Sequence, residues 1–320
     1  MSKGEFRDQL CHLEQRSLAW VVERQRYFNP LLYTENLKID LALKASAELA
    51  LVCADARADR ASELPPQYQQ LASYVWTEVF SADAVRDHLL TTELGLLTFG
   101  FYASLRHCGY RDERYERELQ TLLDDGYVSA AERVPTRELD FLHSLQKLAL
   151  LSDRNLPRQV YERCLIAKHP SLYPLTTDDV YALTHAIFFM TDFGRIPGWW
   201  STADLEYLRG ALPRLSEYYL RKGNWDVVAE LLICLSATGL SEAPIYGQSL
   251  ALLCAAQQED GSIPGPTREQ RGRQWAATTA NDDDANAEWR VFHDNYHTTL
   301  VALMAVRGAM SRDADKHVER

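Results

Sequence analysis

Over residues 37–52, apolar side chains recur every three or four positions, with Leu37, Leu41, Ala45, Leu49 and Val52 on one face. This is the period of a helix that buries one stripe. The spacing returns over 68–80, 93–106, 115–123, 138–151, 157–167, 178–191, 202–221, 226–237, 243–258 and 295–310. Period-two alternation is missing from these stretches, so the chain is expected to be all-α. Thr177-Asp178-Asp179 and Ser201-Thr202-Ala203-Asp204 supply N-caps and first-turn acids, where the helix dipole favours them. Gly223 and Gly239 follow apolar runs, as glycines past helix C-termini do.

The helices differ in character. The 226–237 stretch is apolar nearly all round, whereas 202–221 has a clear polar face. A helix apolar on every side must be covered on every side. Alternation of the two kinds suits two concentric helical layers, an α/α toroid, with a plain bundle or an open solenoid of helix pairs as rivals. A single domain of 320 residues is expected, with a less regular N-terminal segment (1–36) and a polar, acidic loop (266–292).

Forty-five acidic against 34 basic side chains give a formal net charge of −11. Such a surface repels phosphate backbones and anionic lipid, so neither nucleic acid nor membrane is an expected partner. The N-terminal residues lack the apolar core of a signal peptide, and no run nears the ~18 apolar residues of a membrane span. A cytoplasmic location is therefore expected. Cys11, Cys53, Cys108, Cys164, Cys234 and Cys254 form no CxxC pair, and three of them lie in apolar helical runs. They read as small core residues.

Two segments in the C-terminal half resemble a known superfamily. Gln257-Gln258-Glu259-Asp260-Gly261-Ser262 is similar to the QxxDGS element of terpenoid-cyclase and prenyltransferase toroids. Asp294-Asn295-Tyr296-His297-Thr298 resembles the acid-x-Tyr-His-Thr run of protein prenyltransferase β subunits. The resemblance implies a zinc-binding His297 at the start of an inner helix. Asn224-Trp225-Asp226-Val227-Val228 resembles the place of that family's Asp-x-Cys motif, with Asp226 matching the aspartate and Val228 standing where the cysteine would be. The departure puts thiolate alkylation in doubt. The likeness covers 181–308.

A metal needs ionised carboxylates or neutral imidazoles converging from separate elements. His185, Asp226 and His297 are the candidate ligands, each in or opening a strongly apolar helix. A core histidine bonded to a backbone carbonyl or a carboxylate is the plain alternative for His185. Glu230, one turn after Asp226, and Asp294, beside His297, are candidate proton-transfer groups. Glu230 also reads as a fourth ligand or a buried ion-pair partner, and Asp294 as a helix N-cap. Tyr181, Asp192, Trp225, His293 and Tyr296 are candidate substrate contacts. Two imidazoles with one carboxylate suit Zn(II) or non-haem Fe(II).

The expected function is a metal-dependent enzyme acting on a small molecule inside a helical toroid, such as a tailoring step in specialised metabolism. One alternative is a metal-free terpenoid-type cyclase or isomerase. Asp282-Asp283-Asp284 only superficially resembles a DDxxD run, because it sits in a polar segment and reads as a solvated loop. The other alternative is a non-catalytic binding or scaffold protein. No nucleophile elbow, phosphate loop, dinucleotide fingerprint or HExxH helix is present.

Overall fold

A computed structural model of the chain describes residues 3–57, 63–91, 95–126, 130–267 and 287–318. Among these residues there are thirteen α-helices and no strand. The chain divides into two compact units, Met1–Arg24 with Leu165–Arg320, and Gln25–Cys164.

The first unit opens with α1 (Lys3–Glu23), where an irregular segment was expected. Its buried side chains are Leu10, Leu13, Ser17, Leu18, Trp20 and Val21. The three-and-four spacing is there, but Ser17 stands at its centre and hides it. The Ser17 hydroxyl faces the core because it donates to the Gly261 carbonyl at 2.9 Å.

The second unit holds α2 (Asn36–Ala56), α3 (Pro66–Tyr74) running into a π-helical turn at Val75–Phe80, α4 (Asp83–Thr91), α5 (Gly95–His107), α6 (Glu113–Asp124), α7 (Pro135–Leu148) and α8 (Leu156–Tyr161). Helix α5 lies between α2 and α7. Phe80, Phe101, Tyr102 and Tyr115 pack ring against ring at 4.8–5.6 Å between centroids. Arg86 covers this cluster, its guanidinium over Phe80 and Tyr115 and 2.7 Å from Asp112. Sequence spacing overran two ends here. Ala149 takes a left-handed conformation (φ 61°) and closes α7, and α8 stops at Tyr161 rather than continuing to 167.

The first unit resumes with α9 (Thr177–Thr191), α10 (Thr202–Lys222), α11 (Trp225–Ala237), α12 (Pro244–Ala255) and α13 (Ala287–Val318). Helix α11 is the hub, touching α9, α10, α12 and α13. That explains its all-round apolar sequence, with Val227 to Leu235 buried without a break. Capping boxes start α9 at Thr176 and α10 at Ser201. Helix α13 begins at Ala287, eight residues before the apolar pattern becomes clear, so 287–292 are helix instead of loop. Asp282-Asp283-Asp284 lies outside the described residues.

The Gln257–Ser262 turn ties α1 to the C-terminal part of this unit. Gln257 Nε2 donates to the Leu13 carbonyl at 3.1 Å, and Trp20 Nε1 donates to Asp260 Oδ2 at 2.8 Å. Gly261 (φ 97°) passes so close to Arg16 that a Cβ there would lie 2.5 Å from its carbonyl oxygen. Further on, the Ile263 amide donates to Thr299 and the Gly265 amide to Asn295, both at 3.0 Å. A Cβ on Gly265 would fall 1.8 Å from the Asp294 carbonyl oxygen. This close approach fixes α13 along its length beside the turn.

Two outcomes follow. Gly265→Ala forces the turn off α13 and lowers stability by about 1–3 kcal/mol, as overpacked cores do, readable in urea denaturation. Glu116 tests the second unit. Burial alone would raise its carboxyl, but Arg111, the Tyr102 hydroxyl and Arg106 outweigh burial and hold it below the usual carboxylate range. Its contribution is then complete above the unfolded value near ~4.3 and vanishes as pH falls through the lower folded value. Glu116→Gln is expected to be less stable than the parent chain at pH 7, with the gap shrinking toward pH 3.

Candidate metal centre

Helix α10 ends at Gly223, in a left-handed conformation (φ 61°), and Asn224 caps α11 by accepting the Val227 amide at 3.3 Å. This sharp junction places Asp226 in the first turn of the hub helix, where the dipole favours a negative charge. Glu230 follows one turn later. Both are buried, their side chains 4% and 2% exposed. Helix α13 brings His297 to the same place.

Ligand atoms of Asp226, Glu230 and His297 all lie within 4.8 Å of one another. His297 Nε2 stands 3.6 Å from Asp226 Oδ1 and 4.0 Å from Glu230 Oε1. Three donors each ~2.1 Å from a tetrahedral cation would be ~3.4 Å apart. The group needs only modest closure to hold one.

Three hydroxyls fix the carboxylates. Tyr181 donates to Asp226 Oδ2 at 2.5 Å, Thr298 donates to Asp226 Oδ1 at 3.0 Å, and Thr184 donates to Glu230 Oε2. Among the described residues none donates a hydrogen bond to Glu230 Oε1, which faces His297 Nε2 at 4.0 Å. The Tyr181 phenol is pushed far above its ordinary value, first by burial and then by the charges of Asp226 and Glu230. It stays a donor.

His185 stands one layer out. Its Nδ1 lies 2.8 Å from the Tyr181 carbonyl and 3.7 Å from Glu230 Oε2. A carbonyl can only accept, so that nitrogen carries the hydrogen. The convergent set is therefore two carboxylates and one imidazole, not the expected His185, Asp226 and His297. Glu230, expected as a proton-transfer group, is the third member. One helical turn sets Glu230 directly above Asp226, whereas His185 is held by the backbone of its own helix.

The other expected contacts scatter. Tyr181 is at the site. Trp225 is half-buried beside Asp226 in the chain. Tyr296 is buried against Phe292, which stacks on Trp20, and so belongs to the α1–α13 core. His293 is buried with its ring stacked on Trp289 at 4.8 Å, outside the cluster. Asp192 ends α9 in a left-handed turn (φ 47°), 3.9 Å from Arg195. It lies seven residues past His185, about 10 Å along the axis. Asp294 is neither in the cluster nor a cap, because α13 starts seven residues earlier; its carboxylate is 46% exposed, 3.8 Å from His293.

Thr184 and Thr298 were missed as site residues. Their signal was a hydroxyl adjacent to a histidine in an apolar helix, Thr184-His185 and His297-Thr298. The Cys234 thiol, one turn beyond Glu230, is raised well above its usual value by burial and by the Glu230 charge, so it is a core residue rather than a thiolate.

A family model described as a domain of unknown function (DUF6895) matches residues 14–307. The chain belongs to that family. Neither the curated proteins nor the solved structures contain a match to it. No helix of the described residues is long and apolar enough to cross a membrane.

Removing a hydroxyl donor leaves a buried carboxylate short of a partner. Thr298→Val is expected to cost about 1–3 kcal/mol in the chelator-treated protein, measured by urea denaturation against the parent chain.

Proposed function

We propose that this chain is a metal-dependent enzyme acting on a small molecule, with one divalent cation held by Asp226, Glu230 and His297. The observation that carries this reading is Glu230, a carboxylate 2% exposed whose Oε1 accepts no hydrogen bond from the described residues and lies 4.0 Å from an imidazole nitrogen. Burying ionised carboxylates is expensive unless a counter-charge meets them. One imidazolium would offset a single charge of the two; a divalent cation offsets both.

Two carboxylate oxygens and one imidazole form a hard-to-intermediate donor set, suited to Zn(II) and Fe(II) and also to Mn(II). When bound, such an ion polarises a carbonyl or lowers the pKa of a coordinated water toward ~7. The chain's own groups have separate tasks. Tyr181, Thr184 and Thr298 orient the carboxylates, and His185, 29% exposed, borders the solvent side next to Glu230.

The α/α toroid belongs to this proposal. A hub helix buried all round beside the half-polar α10 suits two concentric layers, as does the resemblance to prenyltransferase β subunits over 181–308. There the departure at Val228 removes the thiolate, and Glu230 supplies a carboxylate one turn from Asp226 in its stead. A cytoplasmic setting, with a small-molecule substrate and neither nucleic acid nor membrane as partner, completes the reading.

Elemental analysis of the purified protein, as isolated and after reloading, tests it. About one equivalent of a transition metal is expected, lost in Glu230→Gln and His297→Ala and retained in His185→Ala. Metal content untouched by Glu230→Gln and His297→Ala sinks the proposal.

A further inference from the structure

Among the described residues three groups, Asp226, Glu230 and His297, converge to hold a cation, which bounds what else the cation can hold. Asp226 Oδ2 is committed to the Tyr181 hydroxyl and Glu230 Oε2 to Thr184. Each carboxylate therefore has one oxygen, Asp226 Oδ1 and Glu230 Oε1, turned toward His297 Nε2. Thr298 also donates to Asp226 Oδ1, whose second lone pair stays available, while Tyr181 and Thr184 hold the far oxygens and so favour coordination through the near ones. Cations that suit this donor set take four to six ligands, so one to three positions are left over.

Those positions face one way. The three donors come from α11 and α13, and the two carboxylates are closed off from solvent. Solvent reaches the group where the imidazoles are: His297 is 26% exposed and His185 29%. That side is bordered by a stripe of α9, with the half-buried Tyr181, His185 and Phe189 at positions i, i+4 and i+8. The His185 ring lies 5.5 Å from Phe188 and 6.0 Å from Phe189. With both carboxylates ionised, a divalent cation leaves the centre neutral, so a ligand is attracted by direct coordination and not by a long-range field.

We infer that the substrate is a chelator: a small molecule carrying two oxygen donors on adjacent atoms, which occupies two neighbouring positions of the cation, with an apolar body against the α9 aromatics. The inference rests on the metal reading above and adds the substrate class. Two linked donors bind far better than one, because the second attaches at a high effective concentration. The half-buried Phe189, its ring 6.0 Å from that of His185, favours a planar apolar remainder.

The test uses the full-length protein loaded with Co(II), whose visible absorption reports its ligands. Acetohydroxamate serves as the two-oxygen probe, acetate as the one-oxygen probe, and benzohydroxamate adds a ring. Acetohydroxamate is expected to bind about 100-fold more tightly than acetate, benzohydroxamate more tightly still, and none of them measurably to chelator-treated protein. Phe189→Leu is expected to narrow the gap between the two hydroxamates while leaving Co(II) content unchanged. Comparable affinities for acetate and acetohydroxamate on loaded protein overturn the substrate class and leave the metal centre standing. Failure to take up Co(II) at all overturns the metal reading and this inference with it.

Discussion

Two carboxylates on the most enclosed helix of the first unit set the terms for everything around them. Asp226 and Glu230 sit one turn apart on α11, which four other helices cover. Water cannot solvate them, so the protein must. It does so with hydroxyls from α9 and α13 and with the His297 imidazole, and the helix N-terminus assists Asp226. Such an arrangement is costly to assemble, and buried charge of this kind is weak evidence for stability. Its presence in an otherwise apolar helix is what the proposed divalent cation would account for.

The supporting contacts show how closely the surroundings hold these side chains in place. The Asn224 cap sets where α11 starts and hence which way Asp226 points. The turn at Gly261 and Gly265 sets the position of α13, and through it His297 and Thr298. The same turn is anchored on α1 by Gln257 and Asp260. An N-terminal helix and a C-terminal histidine are thus linked within one unit through a short, closely fitted stretch of backbone.

Much of the helical pattern could be read directly. Periodic apolar residues located most helices, and capping residues located several starts. The failures had local causes. Ser17 interrupts the stripe of α1, while α4 buries only Val85 and Leu89 and leaves little pattern to detect. The first turns of α13 are too polar to stand out. Of the site, Asp226 and His297 were legible as charged or titratable side chains in apolar surroundings. Glu230 was seen but given a different task. Thr184 and Thr298 were not seen, because a threonine in a helix is unremarkable until its hydroxyl is found beside a carboxylate.

The order of residues alone determined that the chain is helical, where its apolar stripes run and which titratable groups must enter the interior. Periodicity and side-chain type are local properties, written in neighbouring positions. Tertiary structure alone decided which of those groups meet. His185, Asp226 and His297 are far apart in the chain, and a rotation of one helix by a fraction of a turn would exchange one partner for another. Packing around α11 placed Glu230 inside the cluster and left His185 bound to its own backbone, a choice made by three-dimensional contact between helices.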